Sequence, residues 1–344
     1  MRCLLLATDL AASLSACAAL PDQLYAPDTP PVALVGIEEA GLVDLRGSYR
    51  AAVCARLPAE GPACDDILLR LAGEPPAAAA PANTDLTRRF RIAFVPGLFA
   101  ECFDPYARTF GDAQKELEAQ GFSAAYFQLP GRGSAVDNAD RLAEMLAAHS
   151  EDARPFVIFA HSKGLVDVLE MLLRHPETAR NIAAIVGVAG AANGSPLASE
   201  LEAFYRAGVA GFPFLACDAG DGRELLDLEK QRRLVWWQAH REDIRVPLFS
   251  LVATPQPDSI SPLLRFSYDR LARIDPRNDG KLIWYDQIAP QSHLLGYVNA
   301  DHWTIAVPAY QEVGALEVLY EDLVPRPVLI RAAIEVVAAS LAGG

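Results

Sequence analysis

From residue 91 to residue 298 short, almost wholly apolar runs alternate with longer amphipathic stretches. The runs are Arg91–Val95, Ala124–Leu129, Pro155–Ala160, Ile182–Val188, Val246–Val252 and Leu294–Val298. A strand with one wet face alternates apolar and polar residues, so a nearly continuous apolar run predicts a strand buried on both faces. The intervening stretches predict helices at Thr109–Gln120, ended by Gly121 as a C-terminal cap, at Ala135–His149, and at Leu165–Arg174, stopped by His175-Pro176. Val328–Leu341 predicts a closing helix. This alternation specifies an α/β fold, a mostly parallel sheet with helices on both faces. The main domain starts near Leu86 and occupies 86–344. Ser199 to Glu242 breaks the rhythm between two strands. Its charges and its aromatic residues Phe204, Tyr205, Phe212, Phe214, Trp236 and Trp237 predict a mostly helical insertion over the carboxyl edge of the sheet.

The chain before this domain divides by composition. Residues 1–20 read as a signal peptide: Arg2 supplies the positive start, and Cys3 to Ala19 are almost all small or apolar. The stretch is too short, and too interrupted by Asp9, to span a bilayer. It ends in Leu14-Ser15-Ala16-Cys17, which resembles the lipobox of bacterial lipoproteins. That resemblance implies a lipidated Cys17, membrane anchoring, and a periplasmic or outer-membrane location; an ordinary cleaved signal implies secretion. Residues 21–85 form a Pro-rich tether (Pro21–Pro31), a small helical segment (42–73) and a Pro/Ala linker (Glu74–Thr84). Cys54 and Cys64 flank the turn-rich Pro58–Pro62 and predict a disulfide in an oxidising compartment. Neither has a His or second Cys at metal spacing, which argues against zinc.

Charge narrows the partners. Thirty basic residues against 44 acidic ones leave a net charge of −14. Nucleic acid and anionic membrane surfaces both need basic patches, so neither is an expected partner. No stretch repeats at a fixed period, which excludes solenoids and propellers.

The chemistry centres on Ala160-His161-Ser162-Lys163-Gly164, where an apolar strand meets an apolar helix. A nucleophile on such a turn is held exposed above the sheet, and the tight turn needs small residues two before and two after it. Ala160 and Gly164 meet that need, with Ala where the usual pattern has Gly. The helix that follows points its amino end at the reacting centre and favours negative charge there. In this context the chain resembles the α/β-hydrolase family, in particular bacterial lipase- and esterase-like serine hydrolases, over roughly residues 88–340.

The resemblance implies roles. Ser162 matches the nucleophile. In the family an acid and then a histidine follow the serine in chain order. Of His175, His240, His293 and His302, only His302 stands just after the last apolar run and before the closing helix, where the family places its base. His293, just before that run, is the runner-up. The acid has two candidates: Asp279 in Arg277-Asn278-Asp279-Gly280, 23 residues before His302 and in a loop like that of bacterial lipases, and Asp258 in the Pro-rich loop after Val246–Val252. An oxyanion hole takes two backbone N–H donors. Lys163 supplies one, and Leu98 in Pro96-Gly97-Leu98-Phe99 the other, with Phe99 as fallback. Gly190 to Ala198 resembles the turn that precedes the lid of lipases, and the 199–242 insertion then reads as that lid. The expected function is hydrolysis of a small-molecule or lipid carboxylic ester through an acyl-enzyme, with no metal or organic cofactor implied. A thioesterase, amidase or polyester depolymerase using the same triad remains open, as does a non-catalytic envelope lipoprotein.

Overall fold

Each apolar run read from the sequence forms a strand, and the N-terminal segment adds two more. In chain order they are β1 (Val43–Asp44), β2 (Leu68–Leu69), β3 (Arg91–Val95), β4 (Ala124–Tyr126), β5 (Phe156–His161), β6 (Ile182–Val188), β7 (Leu248–Ala253) and β8 (His293–Val298). The computed structural model describes residues 29–78, 85–104, 106–200, 220, 222–314 and 319–343. The expected signal peptide with Cys17, and residues 201–219 and 221 of the expected lid, lie outside these.

The strand order is β1-β8-β7-β6-β5-β3-β4. Every pair is parallel except β2, which lies antiparallel on β8. The principal helices are α1 (Arg46–Cys54), α2 (Gly111–Ala119), α3 (Ala135–Ala148), α4 (Lys163–Arg174), α5 (Lys230–His240), α6 (Arg265–Leu271) and α7 (Arg326–Gly343). Side chains alternate between the sheet's faces with period two. Ile92, Phe94, Val157 and Phe159 enter one core with Tyr49 and Val53 of α1, Leu117 of α2 and Ile330, Ile334 and Val337 of α7. Ala93, Val95, Phe156, Ile158 and Ala160 enter the other with Leu142 of α3, Leu165 and Leu169 of α4 and Trp237 of α5. Both faces are therefore covered, which is why these strands read as continuous apolar runs rather than alternating ones.

The segment expected to be helical between 42 and 73 carries β1 and β2 as well as α1. Two residues per strand leave no sequence period to detect. They pair with the two halves of the edge strand β8, Val43 beside His293 and Leu68 beside Val298, and so cover its unpaired backbone. Glu74, placed in the linker, is drawn onto Arg50 by an ion pair whose side chains are both almost fully buried. Trp236 and Trp237, two of the aromatic residues of the insertion, pack on the body: their indole N–H groups donate to Glu170 Oε2 and Ala192 O.

The Cys54–Cys64 disulfide is present and joins the end of α1 to the short helix before β2, with a Cα–Cα distance of 5.3 Å. Closing a loop of about ten residues restricts the unfolded chain by roughly 2–3 kcal/mol. Replacing both cysteines by serine is expected to lower the unfolding free energy by about that amount in urea titrations. An unchanged urea midpoint would show that the bridge contributes nothing measurable.

Candidate active site

The turn from β5 into α4 is strained at one residue. Ser162 has φ 52° and ψ −124°, a conformation that a side chain other than glycine's adopts at a cost of roughly 1–3 kcal/mol. Burial on both sides holds it there. Ser162 N–H donates to Val188 O, and its carbonyl accepts from Leu165 N and Ala191 N. The turn also needs close backbone contact. A Cβ on Gly164 would lie 2.5 Å from Pro96 O, and one on Gly97 would lie 2.7 Å from Ser162 Cβ, so neither position admits a side chain without displacement.

Ser162 Oγ lies 2.9 Å from His302 Nε2, and His302 Nδ1 lies 2.7 Å from Asp279 Oδ2. The three side chains are buried in a line, with Asp279 inaccessible to solvent. The second carboxylate oxygen of Asp279 accepts from Lys281 N at 2.8 Å and Leu282 N at 2.6 Å. His302 N–H donates to Asp279 O at 2.9 Å, so backbone and side chain fix the pair in one orientation. The Asn-Asp-Gly turn is itself anchored: Asn278 Oδ1 accepts from Gly280 N, while its amide donates to Asp275 O.

The other candidates fall elsewhere. Asp258 is exposed on a short 3-10 turn, Pro257–Ser259, and has no contact with His302 among the described residues. His293 opens β8 at the opposite end of the strand, stacked on Phe249 and 3.2 Å from Ser340 Oγ. His175 and His240 contact Asp140 and Asp243 near helix ends. Of the amides, Phe99 N donates to Gly131 O at 3.2 Å and is occupied. Leu98 N and Lys163 N have no backbone acceptor among the described residues. The turn from Gly190 to Ala198 buttresses the site, through Ala191 N on Ser162 O and Ser195 Oγ on Lys281 O.

Some supporting residues gave little sign in the sequence. Asp301 is fully buried, and its carboxylate accepts from Ser261 N, Trp303 N, Thr304 N and Thr304 Oγ1, which locks the turn carrying His302. Its spacing to Thr304 is that of a side-chain-capped turn, the one local signal for it. Arg326 is also fully buried; it donates to Thr304 O at 2.6 Å and pairs with Asp112 and Asp322. Asp322, four residues before it, is the local partner of Arg326, whereas Asp112 and Thr304 come from other segments and leave no sign beside it.

His161, beside the serine, packs 4.8 Å from the His302 ring. Its Nε2 lies 2.8 Å from His302 O, a partner that can only accept, so this nitrogen carries the proton. Burial, and secondarily the neighbouring His302, push its pKa down to about 3. Native His161 is therefore neutral, whereas in the unfolded chain it protonates below about pH 6.5. The unfolded state binds more protons below that pH, so this residue makes stability fall as pH drops from about 6.5 towards 3. Its share of the loss between pH 7 and pH 5 is about 2 kcal/mol. Urea midpoints at the two pH values should converge in His161→Phe relative to the wild type; an equal acid sensitivity in both would contradict this.

The comparisons with known proteins come from solved structures; no protein-family model and no curated protein matches the chain. The chain is similar to the metagenomic carboxyl esterase MGS0156, with 34% sequence identity and a TM-score of 0.81, over 95% of this chain and 99% of that one. It is also similar to the mature form of Bacillus licheniformis lipase BlEst2, with 19% identity and a TM-score of 0.52, over 64% of this chain and 87% of that one. The second likeness is one of fold alone. The first extends over nearly the whole of both chains, and the chain belongs to the carboxyl esterase family of the α/β-hydrolase fold.

Proposed function

We propose that the protein hydrolyses carboxylic esters with Ser162 as nucleophile, His302 as base and Asp279 as the acid that orients His302. The observation that carries this is the unbroken hydrogen-bonded line from Ser162 Oγ through both ring nitrogens of His302 to Asp279. A serine hydroxyl is a weak nucleophile until a base takes its proton. His302 Nε2 is within reach of that proton. Asp279 accepts from Nδ1–H, which leaves Nε2 free to receive it and balances the imidazolium that forms. Ser162 Oγ attacks the ester carbonyl, and the developing oxyanion sits against the Leu98 and Lys163 amides. His302 then protonates the leaving alcohol. The same base activates water to release the acid from Ser162.

The test is covalent. A fluorophosphonate probe should label the protein once, on the peptide carrying Ser162. Turnover of p-nitrophenyl esters from C2 to C16 then gives the preferred acyl length. Absence of labelling, together with no turnover of any ester in the panel, would leave a hydrolase fold without the chemistry.

Export and lipid anchoring at Cys17 belong to the same proposal. They are supported by the signal-like residues 1–20, by Leu14-Ser15-Ala16-Cys17, and by a disulfide of the kind formed in oxidising compartments. Each buried acyl CH₂ contributes about 0.8 kcal/mol, so two or more chains anchor firmly. Cys17→Ser should release the protein into the soluble periplasmic fraction with its activity on soluble esters unchanged. Wild-type protein found there unlipidated would remove the anchor from the reading.

A further inference from the structure

Beneath the serine turn lies a polar chain that the acyl-transfer steps do not use. Lys163, the first residue of α4, turns its side chain inward and places Nζ 2.5 Å from Asp167 Oδ1, one helical turn on. The other oxygen of Asp167 accepts from Asn138 Nδ2 of α3 at 2.9 Å. The same Asn138 amide donates to Pro130 O at 3.3 Å. Lys163, Asp167 and Asn138 are each no more than 2% exposed. The loop that Asn138 reaches continues directly to the other side of the site. Gly131 O accepts from Phe99 N at 3.2 Å, and a Cβ on Gly131 would lie 2.9 Å from that same nitrogen. Leu98 is the next residue along.

The two amides thus terminate one continuous connection, buried at Lys163, Asp167, Asn138 and Gly131 and half-buried at Pro130, Phe99 and Leu98. Lys163 N is at one end; Leu98 N, through Phe99, Gly131 and Pro130, is at the other. Burying an ion pair is a poor way to gain stability, because a well-packed apolar pair of similar volume is often as stable or more so. Burial pushes Asp167 up from the ordinary carboxylate range, against the pull of Lys163 and Asn138. What an apolar pair lacks is direction: hydrogen bonds hold α4 and the Pro130 loop in one relative setting. Misplacing a catalytic group by about 1 Å costs on the order of 100-fold in rate.

We infer that Lys163, Asp167 and Asn138 are positioning residues that set the separation of the Leu98 and Lys163 amides, and so tune the oxyanion hole to the tetrahedral intermediate of ester hydrolysis. The inference rests on the reading of Ser162 as nucleophile and of these two amides as donors. None of the three side chains touches substrate. They act on the transition state through the backbone, so their loss should appear in kcat and not in KM.

Two variants test it. Asn138→Ala cuts the link to the Pro130 loop while leaving the ion pair. The double variant K163M/D167L removes both charges together, so no lone buried charge is left to unfold the protein. In each, kcat for p-nitrophenyl butyrate should fall roughly 10- to 100-fold with KM within about twofold of the wild type. Affinity for a trifluoromethyl ketone, which forms a tetrahedral adduct, should fall in parallel, while the melting temperature of the double variant stays near that of the wild type. The inference is overturned if the double variant melts like the wild type and keeps its kcat, or if the two variants raise KM and spare kcat. Ser162→Ala separates the two levels. If that variant is inactive while both positioning variants turn over normally, only the positioning role fails; if it stays active, the nucleophile assignment fails and takes this inference with it.

Discussion

Ester turnover by Ser162→Ala is expected to fall by about six orders of magnitude, with the fold unchanged. The substitution removes only Oγ from a residue whose backbone is held by Val188, Leu165 and Ala191. Alanine tolerates the turn no worse than serine, so melting temperature and circular dichroism should match the wild type. His302→Ala should be nearly as severe, because hydroxyl and imidazole act as one unit and either loss leaves only binding and the oxyanion donors. The double variant should be little worse than either single one. His293→Ala should be mild, since His293 meets Ser340 and Phe249 away from Ser162. A Ser162→Ala variant keeping more than a few per cent of activity would overturn the nucleophile assignment, and a severe His293 effect beside a mild His302 one would move the base.

Asp279→Asn is the second large effect, a loss of about 10⁴ in kcat. The carboxylate accepts from His302 Nδ1–H and from two backbone amides. An asparagine there can turn its NH₂ towards the ring, which selects the tautomer with the proton on Nε2 and disables the base. The amide oxygen still accepts from Lys281 N and Leu282 N, so the turn should persist and KM should change little. Asp258→Asn, on an exposed turn, should stay within a fewfold of the wild type. The comparison needs only steady-state kinetics on one soluble ester; equally mild effects would leave the acid unidentified.

The sheet was legible in the sequence because its strands are buried on both faces. Burial of that kind imposes a run of apolar residues that no other element of similar length requires, and Arg91–Val95 and Ile182–Val188 match their strands residue for residue. Ser162 was legible for a related reason. A strand, a tight turn and a helix must meet within five residues, and only small neighbours permit it. His302 and Asp279 could be ranked by chain order and by the Asn-Asp-Gly turn, but ranking is as far as local pattern goes. Whether Asp279 or Asp258 meets His302 depends on where two loops end after the sheet is assembled. The structure brings Asp279 to 2.7 Å and leaves Asp258 in solvent.

What the sequence determined by itself is what local constraints encode: alternating strands and helices, the serine turn, and a cysteine pair close enough to bridge. What only the tertiary structure decided is every contact between segments distant in the chain. Two-residue strands β1 and β2 exist because β8 offers an unpaired edge, not because of any period of their own. His161 is held neutral chiefly by the burial that the assembled fold imposes on it, and secondarily by the ring of His302, 141 residues away. Lys163 and Asp167 stand one turn apart on α4, but Asn138 of α3, which donates to the second oxygen of Asp167 and so completes the buried set, comes from another segment. A charge enters a core only when it is paired and its partner is satisfied in turn, and the members of that set that lie on another element leave no local mark.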